Sequence, residues 1–123
     1  MKKFPFYKQP DTKDCGPTCL RIVSKYYGKS ISLQQIRALS ETTREGSSLL
    51  GLSDAAENLG FRSLGVQIDF KTLVEEVPLP CIVHWNKNHF VVVYKTDKNN
   101  KIYISDPSYG LITYNQEEFI KSW

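Results

Sequence analysis

The stretch Gln9-Pro10-Asp11-Thr12-Lys13-Asp14-Cys15-Gly16-Pro17-Thr18-Cys19-Leu20 decides how this chain is read. A helical pattern begins at its cysteine. Cys19, Ile22, Val23 and Tyr26 recur at helical spacing, and Gly28 supplies a stop, so the spacing predicts a helix over 15–27. A cysteine in the first turn faces unpaired backbone N–H groups and the positive end of the helix dipole, which favour a thiolate. The thiolate is the nucleophilic form, so Cys15 is the candidate nucleophile. Gly16 lets another chain approach the backbone closely, and Pro17 suits a first turn, where its missing N–H is not needed.

Outward from that stretch, residues 1–14 read as an extended, proline-interrupted lead-in. Ser32-Leu33-Gln34-Gln35 is a capping box opening a second helix with Leu33, Ile36 and Leu39 inward. Ser47 or Ser48 caps a third helix through Leu49, Leu52, Ala55, Ala56 and Leu59, ended by Gly60. The period then changes. Residues 61–68 are predicted as a strand, and Asp69 caps a helical turn over 70–75. After Pro78 and Pro80, two β-rich runs, 81–85 and 90–94, are joined by a hairpin at Asn86-Lys87-Asn88. Strands follow at 102–105 and 111–114, and Asn115 caps a last short helix carrying Phe119 and Trp123. The order predicts an α+β fold: an N-terminal helical half, then an antiparallel β-sheet half, as one domain over 1–123.

Composition narrows the function. A chain of 123 residues with 41% hydrophobic content can bury a real core. The net charge of +3 comes from interspersed charges, with no basic block, which argues against a nucleic-acid partner. No apolar run within these residues is long enough for a membrane span. Three cysteines are an odd count that fits a reducing compartment better than a disulfide framework. Cys19, on the inward helical face, and Cys81, in an apolar run, read as small buried hydrophobes.

A cysteine nucleophile needs a base that takes its proton and later returns one to the leaving amine. The two histidines, His84 and His89, compete for that role. His84 sits inside a strand beside Trp85, whereas His89 begins the run His89-Phe90-Val91-Val92-Val93 at the hairpin end. Asp106, in Ser105-Asp106-Pro107, ends the next strand and would lie beside His89 as its orienting acceptor, or else cap a turn. A zinc site is the rival from another class, because Cys15-x₃-Cys19 and His84-x₄-His89 have ligand spacings. The 64 residues between Cys19 and His84 are too many for a finger.

Gln9 with Asp14-Cys15-Gly16-Pro17-Thr18-Cys19-Leu20, then Pro80, His84-Trp85, His89-Phe90-Val91-Val92-Val93 and Asp106-Pro107, together resemble the bacteriocin-processing peptidase domain of peptidase-containing ABC transporters. The resemblance covers about residues 5–123. It implies a papain-like cysteine peptidase that cuts leader peptides after a Gly-Gly or Gly-Ala pair. Cys15 would be the nucleophile, His89 the base and acid, and Asp106 its orienter. Gln9 would share the oxyanion hole with the Cys15 N–H, and Gly16 would lie under the two small substrate residues. No metal or other cofactor is implied in this domain; ATP and Mg²⁺ would belong to transporter domains absent from these residues. The implied partners are a leader-containing precursor peptide and the transmembrane and nucleotide-binding domains of a homodimeric transporter. The location would be the cytoplasmic face of a bacterial membrane, unless the chain is a stand-alone member. A groove for an amphipathic leader helix is also implied, with Val66, Ile68 and Tyr94 either contributing to it or belonging to the core. A cargo-holding module without catalysis, and another cysteine-dependent reaction, are the alternatives.

Overall fold

The computed structural model describes residues 3–42, 46–85 and 89–123. Helix α1 (Cys15–Tyr26) follows a 3-10 turn over Thr12–Asp14 and ends one residue short of the expected bound. Its stop is Gly28 in the left-handed region at φ +84°, where a side chain would be strained. Helix α2 (Leu33–Ser40) opens on the expected capping box: Ser32 Oγ accepts from Gln35 N–H, and Gln35 Oε1 accepts from Ser32 N–H. Of the two serines before α3 (Leu49–Asn58), Ser48 is the cap, accepting from Gly51 N–H at 2.9 Å. Asp69 caps α4 (Phe70–Glu76), and the Asn115–Glu118 box caps α5 (Gln116–Ser122).

Strands β1 (Cys81–Trp85), β2 (His89–Thr96), β3 (Ile102–Asp106) and β4 (Gly110–Tyr114) form an antiparallel meander in the order β1-β2-β3-β4. The expected turn residues Asn86, Lys87 and Asn88 lie outside the described residues, but β1 and β2 pair as a hairpin would, with Trp85 opposite His89. Residues 61–68 do not form the expected strand. β-favouring side chains make a strand only with a ladder partner and a packed face. Here Ser63 N–H donates to the Glu57 carboxylate instead, and Leu64 and Val66 are 84% and 56% exposed.

The sheet is covered on both sides. Phe90 and Val92 of β2 pack against Cys15, Cys19, Ile22 and Val23 of α1 and Leu52 of α3. Leu20, Ile36, Ala55 and Ala56 tie α1, α2 and α3 together behind that layer. On the opposite face Val83, Trp85, Val91, Val93, Ile102 and Ile104 pack against Leu73 of α4 and Phe119 of α5. That explains why Val91, Val92 and Val93 run without a polar break: both faces of β2 are dry. The architecture is α+β, as expected, with α4 and α5 placed on the far face of the sheet. Among the described residues no helix is long and apolar enough to cross a membrane.

Helices α2 and α3 meet at Gly51, where a Cβ would lie 2.4 Å from the backbone oxygen of Ser40. Gly51→Ala should therefore destabilise the fold by about 1–3 kcal/mol of overpacking. That exceeds the ~1 kcal/mol alanine gains over glycine in a helix. A thermal melt should show a midpoint several degrees lower. An unchanged or raised midpoint would mean that the two helices separate without cost.

Candidate active site

Cys15 is the first residue of α1 and is only 4% exposed. Its surroundings hold it in place. Its helix packs on Phe90 and Val92 of the sheet, and the preceding Asp14, fully buried, is held by a two-pronged ion pair to α2. Arg37 donates from Nε to Asp14 Oδ1 at 2.8 Å and from Nη2 to Oδ2 at 2.5 Å. A buried carboxylate needs such a partner, and this one pins the start of α1 to α2.

His89 and Asp106 come from neighbouring antiparallel strands. His89 has the parity of Val91 and Val93, and Asp106 that of Ile102 and Ile104, all of which pack into one cluster. Both side chains therefore start on the α4/α5 side of the sheet, and His89, the first residue of β2, meets Cys15 of α1 at the strand end. His89 Nε2 lies 2.7 Å from Asp106 Oδ1, and His89 also shares a hydrogen bond with the Cys15 thiol. With Nε2 on the carboxylate, Nδ1 is the ring nitrogen left for the sulfur. The bond to Asp106, then that to Cys15, pushes the His89 pKa up to about 9 against the opposing effect of burial. Burial would push the Asp106 carboxyl up, but the bonds from His89 and Ser108 outweigh it and hold the group below its ordinary value.

Gln9 is anchored beside this pair. Its backbone N–H donates to Pro107 C=O at 2.8 Å, and Ser105 Oγ donates to Pro5 C=O at 3.0 Å, so the lead-in runs along β3 and its turn. Gln9 Nε2 donates one hydrogen to Asp11 C=O at 2.9 Å, which leaves its second amide hydrogen to serve elsewhere.

Gly16 lies in the first turn of α1. It is buried, and a Cβ there would meet Leu52 Cδ1 and Cδ2 at 3.0 and 3.1 Å. The space beside its Cα on that side is filled by Leu52 of α3. His84 is exposed and stacks on Phe90 at 4.7 Å between centroids, away from the carboxylate. Burial pushes the Cys19 thiol well up and the Cys81 thiol up to about 12, as suits packing residues. Among the described residues no three His, Cys, Asp or Glu side chains group as metal ligands would.

An apolar groove of about 540 Å³ is bounded by α1, α3 and β1, lined among others by Leu20, Val23, Leu49, Leu52, Leu64 and Ile82. None of the three groove candidates lines it. Val66 is exposed, Ile68 packs against the far-face core, and Tyr94 stacks on Phe4 at 4.2 Å. Two side chains that hold the site's carboxylates have no place in the sequence reading. Arg37 is 23 residues from Asp14, and no periodicity marks that pairing. Ser108 donates to Asp106 Oδ1 from its N–H at 3.0 Å and its Oγ at 2.9 Å. The Asp-Pro-Ser order is a turn signature that could have pointed to it.

The sequence profile of the Peptidase C39 family matches residues 3–123. The lactococcin-G-processing and transport ATP-binding protein LagD of Lactococcus lactis subsp. lactis is 39% identical over 128 residues, covering 100% of this chain and 18% of the relative. The colicin V secretion/processing ATP-binding protein CvaB of Escherichia coli is 32% identical over 120 residues, covering 96% of this chain and 17% of the relative. The chain thus spans less than a fifth of these relatives' length. Among solved structures, a double glycine motif protease from an AMS/PCAT transporter in complex with its leader peptide superposes with a TM-score of 0.93. It is 36% identical, covering 98% of this chain and 86% of that one. The peptidase domain of Streptococcus ComA gives 0.90 at 35% identity, covering 98% and 93%. The α+β fold is therefore the papain-like one that the motifs implied, and the chain belongs to the Peptidase C39 family of cysteine peptidases.

Proposed function

We propose that residues 1–123 are the N-terminal peptidase domain of an exporting ABC transporter. It cuts bacteriocin-like or other secreted precursor peptides after a Gly-Gly or Gly-Ala pair at the end of their leader. The observation that carries the reading is the continuous chain Cys15–His89–Asp106, with 2.7 Å between its last two members. The names of the relatives add the export setting: LagD and CvaB are processing and transport proteins, and the AMS/PCAT protease was solved with a leader peptide.

With a pKa of about 9, the imidazole of His89 is charged at neutral pH and faces the sulfur as an imidazolium. The Cys15 sulfur attacks the carbonyl carbon of the last leader residue. The oxyanion that forms is held by the second amide hydrogen of Gln9 and by the Cys15 N–H. His89 gives its Nδ1 proton to the departing amine as the C–N bond breaks, leaving a thioester. Water then attacks the thioester while His89 takes its proton, the C–S bond breaks, and the leader leaves as a carboxylate. Asp106 keeps the ring in the tautomer this requires. The 540 Å³ groove takes the apolar face of the leader helix, and its Leu52 packs on Gly16 beside the nucleophile. The full assembly would be a homodimer at the cytoplasmic face of the membrane. ATP and Mg²⁺ would serve its nucleotide-binding domains, and the peptidase step itself would use no cofactor.

The deciding experiment offers this chain a synthetic leader peptide ending in Gly-Gly plus a few core residues, with products read by mass spectrometry. A cut directly after Gly-Gly, abolished in Cys15→Ala, is expected. Tight binding with no cut would overturn the peptidase reading in favour of cargo holding. Gln9→Ala should lower kcat about 10²–10³-fold, the usual cost of one oxyanion donor, and a rate within a few-fold of the parent would remove Gln9 from the hole. The rate should fall as pH rises through about 9, where His89 loses the proton it owes the leaving amine. Asp106→Asn removes the largest cause of that raised value, so the alkaline limb should move to lower pH. The sign also holds for stability. The His89 pair contributes fully below its ordinary value of 6.5, and the contribution is lost as pH rises through about 9.

A further inference from the structure

Ser108 sits two residues beyond Asp106 in the turn between β3 and β4, and its hydroxyl touches both members of the acid–base pair. Ser108 Oγ is 2.9 Å from Asp106 Oδ1 and 3.3 Å from His89 Nε2. Asp106 Oδ1 has no proton to give, so the hydroxyl hydrogen points to the carboxylate. The oxygen lone pairs then share the Nε2–H, whose main acceptor is Asp106 Oδ1 at 2.7 Å. One small dipole thus donates to the anion and accepts from the cation. The backbone N–H of Ser108, also on Asp106 Oδ1 at 3.0 Å, separately fixes the carboxylate in the turn.

We infer that Ser108 is a positioning residue of the hydrolytic reaction: its hydroxyl bridges His89 and Asp106, holds the ring in line with the carboxylate, and supports the charge-separated form. This rests on the peptidase reading above. The titratable groups facing His89 are Asp106 on β3 and Cys15 on α1, with Cys19 a turn further along α1, electrostatically coupled to Cys15 and Asp106. Loss of the hydroxyl takes a partner from both charges, so His89 gives up its proton at a lower pH. The ring is also freer to leave the line from carboxylate to sulfur. Because Ser108 is exposed and keeps its backbone bond after truncation, the fold should not notice the change.

The test compares Ser108→Ala and Ser108→Thr with the parent 123-residue chain. It measures kcat and KM on the Gly-Gly leader peptide, the ring titration of His89 by NMR, and the melting temperature. Ser108→Ala should lower kcat about 3- to 10-fold at unchanged KM, as expected for one hydrogen bond, and move the His89 titration below about 9. Ser108→Thr, which keeps the hydroxyl, should restore both, with the melting temperature equal in all three. A parental kcat and a parental His89 titration in Ser108→Ala would overturn the inference and leave Ser108 as a turn residue only. Should the parent fail to cut the peptide, the proposed function falls, and the His89 titration still decides what Ser108 does.

Discussion

Everything at this site depends on the packing of α1 against one face of β2. Cys19 and Ile22 are fully buried against Phe90 and Val92, so the helix cannot slide or roll without opening a cavity. Losing a buried side chain of that size commonly costs about 2–5 kcal/mol. That apolar contact sets where Cys15 stands relative to the end of β2, and hence relative to His89. The polar groups of the site contribute little to holding the layers together. His89 is partly open to solvent while Asp106 is buried, and their ion pair joins neighbouring strands without touching the contact between α1 and the sheet. Scaffold and reaction are thus separated: hydrocarbon fixes the distance, and charge uses it.

Asp14 shows how closely the two demands meet. It is a fully buried carboxylate one residue from the nucleophile, which would place an uncompensated negative charge beside the reacting sulfur. The fork of Arg37 neutralises it locally and at the same time couples α2 to the first turn of α1. Leu52 makes a second tie, reaching from α3 to within contact of where a Gly16 side chain would be. The start of α1 is therefore held from three directions, by the sheet, by α2 and by α3. A side chain so held loses little freedom on meeting a partner.

What was legible in the sequence follows from the range of each interaction. Capping boxes at Ser32 and Asn115 and the glycine stop at Gly28 act within a few residues, and each is where the local pattern put it. The unbroken valine run of β2 announced a doubly covered strand. His89 and Asp106 were legible because an antiparallel meander brings adjacent strand ends together by topology alone. The misreadings are all long-range. Residues 61–68 carry strand-forming side chains, but no strand lies beside them, and their backbone turned to Glu57 instead. The contact of Leu52 with Gly16, from 36 positions away in the chain, has no local signature either. The Asp14–Arg37 pair spans 23 residues with no repeat to reveal it.

The position of Asp106 reconciles two readings that seemed to exclude each other. An aspartate before a proline is ordinarily a turn cap, and a carboxylate beside a histidine is an orienter. Here a single oxygen does both: Oδ1 accepts the Ser108 N–H that closes the turn and lies on His89 Nε2. The turn stops the carboxylate from rotating, so His89 meets an acceptor already in place and the ring need not organise it. Preorganisation of this kind is where a site gains over water, whose dipoles must reorient as charge develops. The same oxygen is also why burial fails to drive the Asp106 carboxyl up, because three donors converge on it. An alternative acceptor without the turn, such as an aspartate on an open strand end, would have to find its rotamer anew in each catalytic cycle. The serine after Asp106-Pro107 is in this sense what holds the carboxylate in place beside His89.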